Sequence, residues 1–227
     1  MSFIRGKGHM GGKELLKRTV SAILIGMPVM LAIWSGGVLF QVFISVCVVL
    51  MLYEWICINA SKLLSCLFVC GCIYIAVPML FWLYESRYFP DSLQVNILWV
   101  LMIVCSCDIG AYFGGSLMGG AKLAPTISPN KTWSGVISGA ILSFVVSYYY
   151  VHGQFIGVSD KRLAIASMFL IVGAVIGDLI ESKVKRILNV KDTGWLIPGH
   201  GGVCDRLDSF LLATYVFIFV RYLILIP

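Results

Sequence analysis

The sequence predicts an all-α fold, a polytopic transmembrane helix bundle of about seven spans, on three observations. Only 12% of its residues are charged, half the share of about 25% usual in a soluble domain. Hydrophobic residues fill 59% of the 227 positions and mean hydropathy is +0.94, which leaves too little polar surface for a water-soluble fold. The apolar runs are continuous, and several reach the roughly 20 residues that a helix needs to cross a bilayer. The short alternating segments of a β-barrel are missing. The length leaves room for one bundle and no separate soluble domain.

Spans are expected at about 19–34, 38–56, 66–84, 95–113, 133–151, 163–180 and 206–225. These divide into a cytosolic N-terminal segment (1–18), N-terminal helices (19–94) and a C-terminal transmembrane region (95–227) with cytosolic loops at 114–132 and 181–205, where the motifs taken up below fall. Gly8-His9-Met10 resembles a tag remnant, so residues 1–10 carry no weight. No cleavable signal peptide is expected, because the first apolar run is long and more spans follow it. Asn59 to Ser65 is a short polar break. Gly114 to Thr132 is Gly-rich, contains Pro125 and Pro129, and reads as a loop. In the polar stretch Glu181 to Asp205, Ser182 to Val190 predicts an amphipathic helix with Val184, Ile187 and Leu188 on one side. Gly194, Pro198, Gly199, Gly201 and Gly202 then force a loop. The eight cysteines (47, 57, 66, 70, 72, 105, 107, 204) lie mostly inside apolar runs and show no zinc-type pairing, so they read as small hydrophobes.

Basic residues set the orientation. With the N-terminus in the cytosol, thirteen of the seventeen lysines and arginines fall on the cytosolic side. Arg87, Lys161 and Arg162 fall opposite, with Arg221 near the far end of the last span. The net charge of +6 sits in short loops between spans, which favours lipid or phosphate contact over nucleic acid.

The acidic residues are more informative. Eight of eleven fall on that same side: Glu14, Glu54, Asp108, Asp178, Glu181, Asp192, Asp205 and Asp208. An ionised carboxylate at membrane depth is costly unless it meets a cation, which makes such residues functional candidates. Asp205 and Asp208 open the last span at i, i+3 and so share a helical face. With Asp178 they suit a hard cation such as Mg²⁺, which takes oxygen ligands and shares its shell with phosphates. The plainer reading is that the pair merely caps a helix N-terminus. Lys183, Lys185, Arg186, Lys191, His200 and Arg206 are interleaved with Asp and Gly and suit a polyphosphate, Arg206 offering forked hydrogen bonds. Ordinary positive-inside charge is the alternative for some of them. Gly201 and Gly202 beside His200 would let backbone amides approach phosphate oxygens. Ser128, Lys131 and Thr132 precede the fifth span, whose N-terminus favours phosphate, although simple N-capping would use the same residue types. Asp108-Ile109-Gly110-Ala111-Tyr112 adds an acid and small residues that permit close helix packing. Glu54, between Tyr53 and Trp55, reads as interfacial, snorkelling beside aromatic anchors.

Ser182-Lys183-Val184-Lys185-Arg186, four residues, Lys191-Asp192-Thr193-Gly194, then Pro198 through Asp208 form a pattern over 27 residues. With every spacing kept, it resembles the signature of the CDP-diacylglycerol synthases, also called phosphatidate cytidylyltransferases. Asp108 to Tyr112, Ser128 to Trp133 and Gly177-Asp178-Leu179 are similar to that family's accessory motifs, in the same order. The resemblance covers about residues 100–212; upstream it is confined to hydropathy and Tyr53-Glu54. Asn130 stands where many relatives carry a second Lys, Trp133-Ser134-Gly135 lacks the acid often found after the Trp, and the chain is short for the family.

The resemblance implies CTP and phosphatidate as substrates and CDP-diacylglycerol and pyrophosphate as products, made at the cytosolic face of a bacterial inner (cell) membrane. It implies Mg²⁺, alone or with a second cation, held by Asp178, Asp205 and Asp208 with Asp108 an additional ligand. Lys185, Arg186, Lys191, His200 and Arg206 would bind triphosphate or phosphatidate, Lys191 and Arg206 at the reacting phosphates. Ser128, Lys131, Thr132, Gly201 and Gly202 would close the site. Nucleic acid is not an expected partner, and small residues in the spans are compatible with a homodimer. Two rivals stand beside this reading. One is a cytidylyltransferase acting on another lipid phosphate. The other is a cation transporter, whose acids belong near the midplane in paired broken helices.

Overall fold

The computed structural model of the chain describes residues 26–59, 66–152, 154–155, 158–197 and 201–222. Seven helices are found there: α1 (Gly26–Ser35), α2 (Gly37–Ile58), α3 (Cys66–Tyr88), α4 (Pro90–Met118), α5 (Trp133–Val151), α6 (Asp160–Leu188) and α7 (Cys204–Val220). Helices α2 to α6 are each long and apolar enough to cross a membrane, as expected of an integral membrane protein. The first expected span lies partly outside the described residues, as does the end of the last.

Two polar regions differ from expectation. The Gly-rich loop is shorter than the sequence implies, because α4 continues to Met118 before Gly119 and Gly120 take positive φ. An antiparallel ribbon then forms from β1 (Lys122–Ala124) and β2 (Ser128–Thr132), with Lys122 opposite Thr132. Nor is 182–190 a separate amphipathic helix. No breaker separates Asp178 from Leu188, so α6 runs through 29 residues and ends at Asn189 in the left-handed region. At 1.5 Å per residue that is about 44 Å, longer than a hydrocarbon core of roughly 30 Å. Its last turn, with Lys185 and Arg186, complements the helix C-terminus.

Aromatic stacking and small-residue contacts hold the bundle. Trp82 (α3) stacks on Phe210 and Phe217 (α7), while Trp99 (α4) meets Phe217 edge-on. Both indoles are fully buried and satisfied, Trp82 donating to Thr214 and Trp99 to Ser147. Helices α4 and α5 approach backbone to backbone. A Cβ on Gly139 would lie 2.6 Å from the Cys107 carbonyl oxygen, and one on Gly110 would lie 2.8 Å from Gly139 Cα. This is the close packing that the small residues beside Asp108 imply.

At the end of the bundle away from the polar loops, a buried ion pair joins α3 to the end of α7. Arg221 pairs with Glu85, which also accepts from Asn96, and the guanidinium lies 4.9 Å from the centre of the Phe89 ring. Removing one partner strands a buried charge, at a cost of about 3–5 kcal/mol, whereas replacing both with apolar residues costs far less. Arg221→Leu should therefore lower the thermal midpoint in detergent micelles, and Glu85→Leu added to it should restore most of the loss.

Candidate active site

The polar end of the bundle is built around one face of α6. Asp178, Glu181 and Lys185 follow each other at i, i+3 and i+7 and project together. Gly177 lets α7 come close: a Cβ there would sit 3.0 Å from the Asp208 carbonyl oxygen. Asp208 thereby joins the α6 acids, and Asp178, Glu181 and Asp208 offer oxygens all within 4.8 Å of one another.

Two lysines reach this group from different elements. Lys131 of β2 pairs with Asp178. Lys185 lies 2.8 Å from Glu181 Oε2 and 3.0 Å from Asp205 Oδ1. Asp205 is consequently turned toward the loop before α7, not toward Asp178. Its Oδ2 accepts from the Thr193 and Gly202 amides at 2.8 and 2.9 Å. The loop closes further through Ile197 N–H donating to the Gly201 carbonyl, with Gly201 at φ 85°. Asp205 and Asp208 are adjacent on α7 as the spacing implies, but they have different partners.

Glu181, which the sequence reading counted among the acids of this side without giving it a role, belongs to the group. Its signal was its place three residues after Asp178 and four before Lys185, the spacing of neighbours on a helix. Glu54 is a correction. Far from snorkelling at an interface, it is 2% exposed and accepts from the amides of Val203 and Cys204 at 2.9 and 3.0 Å. It satisfies donors at the start of α7 that have no partner within the helix. Gly194 and Gly202 close around it, where any Cβ would fall within 2.6 Å of one of its carboxyl oxygens.

Beside the acidic group opens a cavity of about 530 Å³, lined by Asp108, Asn130, Lys131, Thr132 and Asp178 among others. Asp108 is exposed there and faces the cavity from α4. Thr132 caps α5 by accepting from Gly135 N–H at 3.2 Å, so the capping reading holds while the residue also lines the cavity. Ser128 is half-buried at the start of β2, opposite Ala124. Arg186 ties the ribbon to α6 by donating to the Ile127 carbonyl. Lys191 is exposed on the loop before α7, and Arg206 is exposed on α7. His200 lies outside the described residues.

Removing the Glu54 carboxylate strands two buried donors, each costing about 1–3 kcal/mol. In Glu54→Ala, amide hydrogen exchange at Val203 and Cys204 should accelerate at least tenfold while overall helix content stays unchanged. Unaltered exchange there would return Glu54 to an interfacial role.

Comparison with known proteins places this arrangement. The model of the "Cytidylyltransferase family" matches residues 60–224, from just before α3 through α7. A phosphatidate cytidylyltransferase of Rickettsia bellii is 37% identical over 97% of this chain and 98% of its own length. One from Rickettsia typhi is 36% identical over 90% of this chain and 91% of its own, and one from Brucella suis is 32% identical over 88% and 91%. With a match over most of its length and relatives this close from end to end, the chain belongs to the cytidylyltransferase family.

Proposed function

We infer that this chain transfers the cytidylyl group of CTP to phosphatidate, giving CDP-diacylglycerol and pyrophosphate. The observation that carries the reading is the convergence of Asp178, Glu181 and Asp208 with Lys131 and Lys185 at one end of an apolar bundle. A phosphate of CTP needs cations and fixed donors, whereas phosphatidate needs an apolar surround, and both are present within one helical turn of α7.

In the reaction, a phosphate oxygen of phosphatidate attacks the α-phosphorus of CTP. The bond from that phosphorus to the bridging oxygen breaks, and its electron pair leaves with pyrophosphate. The attacking phosphate monoester is already anionic near neutral pH, so a strong general base is not required. What must be overcome is repulsion between two polyanions and the charge that builds on the leaving group, a task for positioning and electrostatics. Lys131 and Lys185 are placed to meet phosphate oxygens. Asp205 holds Lys185 from one side and the Thr193–Gly202 loop from the other, which makes it a positioning residue. Lys191, Arg186 and Arg206 ring this end as further phosphate donors.

The residues also fit Mg²⁺. The donors are carboxylate oxygens at bridging separation, and Glu181 Oε1 is buried without a hydrogen-bond partner, so a ligand position is available. Asp178, Glu181 and Asp208 would hold the ion, and Asp108, which lines the neighbouring cavity with Asp178, would be an additional ligand. Bound there, Mg²⁺ supplies neutralisation of phosphate charge that no side chain in the group can match. We place this end of the bundle in the cytosol, in keeping with the distribution of lysine and arginine and with where CTP is found.

The test is labelled CTP with phosphatidate, followed for a lipid-soluble cytidine product. Asp208→Asn should lower turnover at least about 100-fold with helix content retained. Chelation should do the same to the unmodified protein, and Mg²⁺ should reverse it. Near-normal product from folded Asp208→Asn would remove the acidic group from the chemistry. Full activity with another lipid phosphate and none with phosphatidate would reassign the acceptor.

A further inference from the structure

A second cavity, which the chemistry above does not use, encloses about 430 Å³ between α1, α2, α3, α4 and α7. Its walls are apolar apart from Arg206, the one charged residue among those lining it. Along α2 the lining extends from Leu50 to Phe40, ten residues or about 15 Å of helical rise. That is half of a hydrocarbon core of roughly 30 Å, the depth of one leaflet. The cavity also reaches the outer surface of the bundle, because Val46 lines it and is 50% exposed.

Its polar end is shared with the site. Arg206 stands in the first turn of α7 between Asp205 and Asp208, and Ile197 and Val203 of the preceding loop also line the cavity. Helix α7 thus carries Asp208 beside the α6 acids and, in the same turn, an arginine that lines an apolar slot of leaflet depth. We propose that this slot holds an acyl chain of the lipid phosphate acceptor, with the Arg206 guanidinium at its mouth facing the phosphate. The inference rests on the reading given under Proposed function. It accounts for how a lipid dissolved in one leaflet reaches a site at the end of the helices: the tail stays in an apolar groove while the headgroup rises past Arg206.

Two experiments test it on the full chain in detergent or vesicles. The first uses phosphatidate bearing a diazirine on its acyl chain, beside phosphatidylcholine bearing the same chain. Phosphatidate should label the α2 peptide at Cys47 and Leu50, and excess unlabelled phosphatidate should compete. Equal labelling by both lipids would mean bulk lipid only, and phosphatidate labelling confined to the outward residues Val42 and Val49 would mean no slot; either overturns the proposal. The second narrows the slot with Leu50→Trp. The KM for dipalmitoyl phosphatidate should rise at least tenfold, about the contribution of two buried methylenes, while the KM for a dihexanoyl analogue and the KM for CTP stay unchanged. Equal effects on both lipids would overturn it. Unmodified protein that makes CDP-diacylglycerol but fails these tests loses only the slot, whereas absence of product removes the proposed function and the slot with it.

Discussion

Three carboxylates within 4.8 Å of one another, at the end of an apolar bundle, repel one another strongly, and the rest of the polar architecture answers that constraint. In a medium of low dielectric such a group persists only with cations at hand. Lys131 arrives from the ribbon and Lys185 from the same helix two turns on. Lys131 and Lys185 thereby offset part of the negative charge that Asp178, Glu181 and Asp208 bring together. The electrostatic demand of this cluster matches that of the proposed reaction, in which negative charge gathers on the departing pyrophosphate.

The bundle places these groups by close approach more than by specific polar contacts within the spans. Glycines at 110, 135 and 139 allow α4 and α5 to meet at backbone distance, and Gly177 does the same for α6 against α7. Short helix separations carry Asp108, Lys131, Asp178 and Asp208 to one mouth. The signature loop is then fixed from two sides. Asp205 binds its amides from α7, and Glu54 of α2 binds the amides where the loop becomes helix. A helix from the less characteristic half of the chain therefore completes the site, which gives Tyr53-Glu54 a structural reason to belong to the pattern.

Helix α7 separates two environments. Asp208 joins the acids of α6, whose Asp178 lines the cavity of about 530 Å³ with Asp108 and Lys131, while Arg206, Leu207 and Phe210 line the apolar cavity of about 430 Å³. Joining a water-soluble nucleotide to a membrane lipid requires both to meet without either leaving its solvent. Alternation of Asp205, Arg206 and Asp208 over one turn serves that end, since successive residues on a helix point about 100° apart.

Composition and run length alone determined the membrane bundle, because few charged residues and long apolar stretches admit no other solution in lipid. The positions of most helices followed, α5 among them, since hydropathy acts locally. Asp178 and Asp208 were legible as partners because acids at membrane depth must be compensated. The ribbon at 122–132 was not, since its pairing depends on a neighbouring helix end and not on alternation in so short a segment. Glu54 was misread and Glu181 passed over for a common reason. Sequence shows that a carboxylate is present, but whether it meets a cation, a helix N-terminus or another acid depends on contacts such as Glu54 with Cys204, 150 positions apart. Only tertiary packing decided which acids share the cluster and which hold the loop, because a carboxylate's role is set by the charges and donors brought within a few ångströms of it.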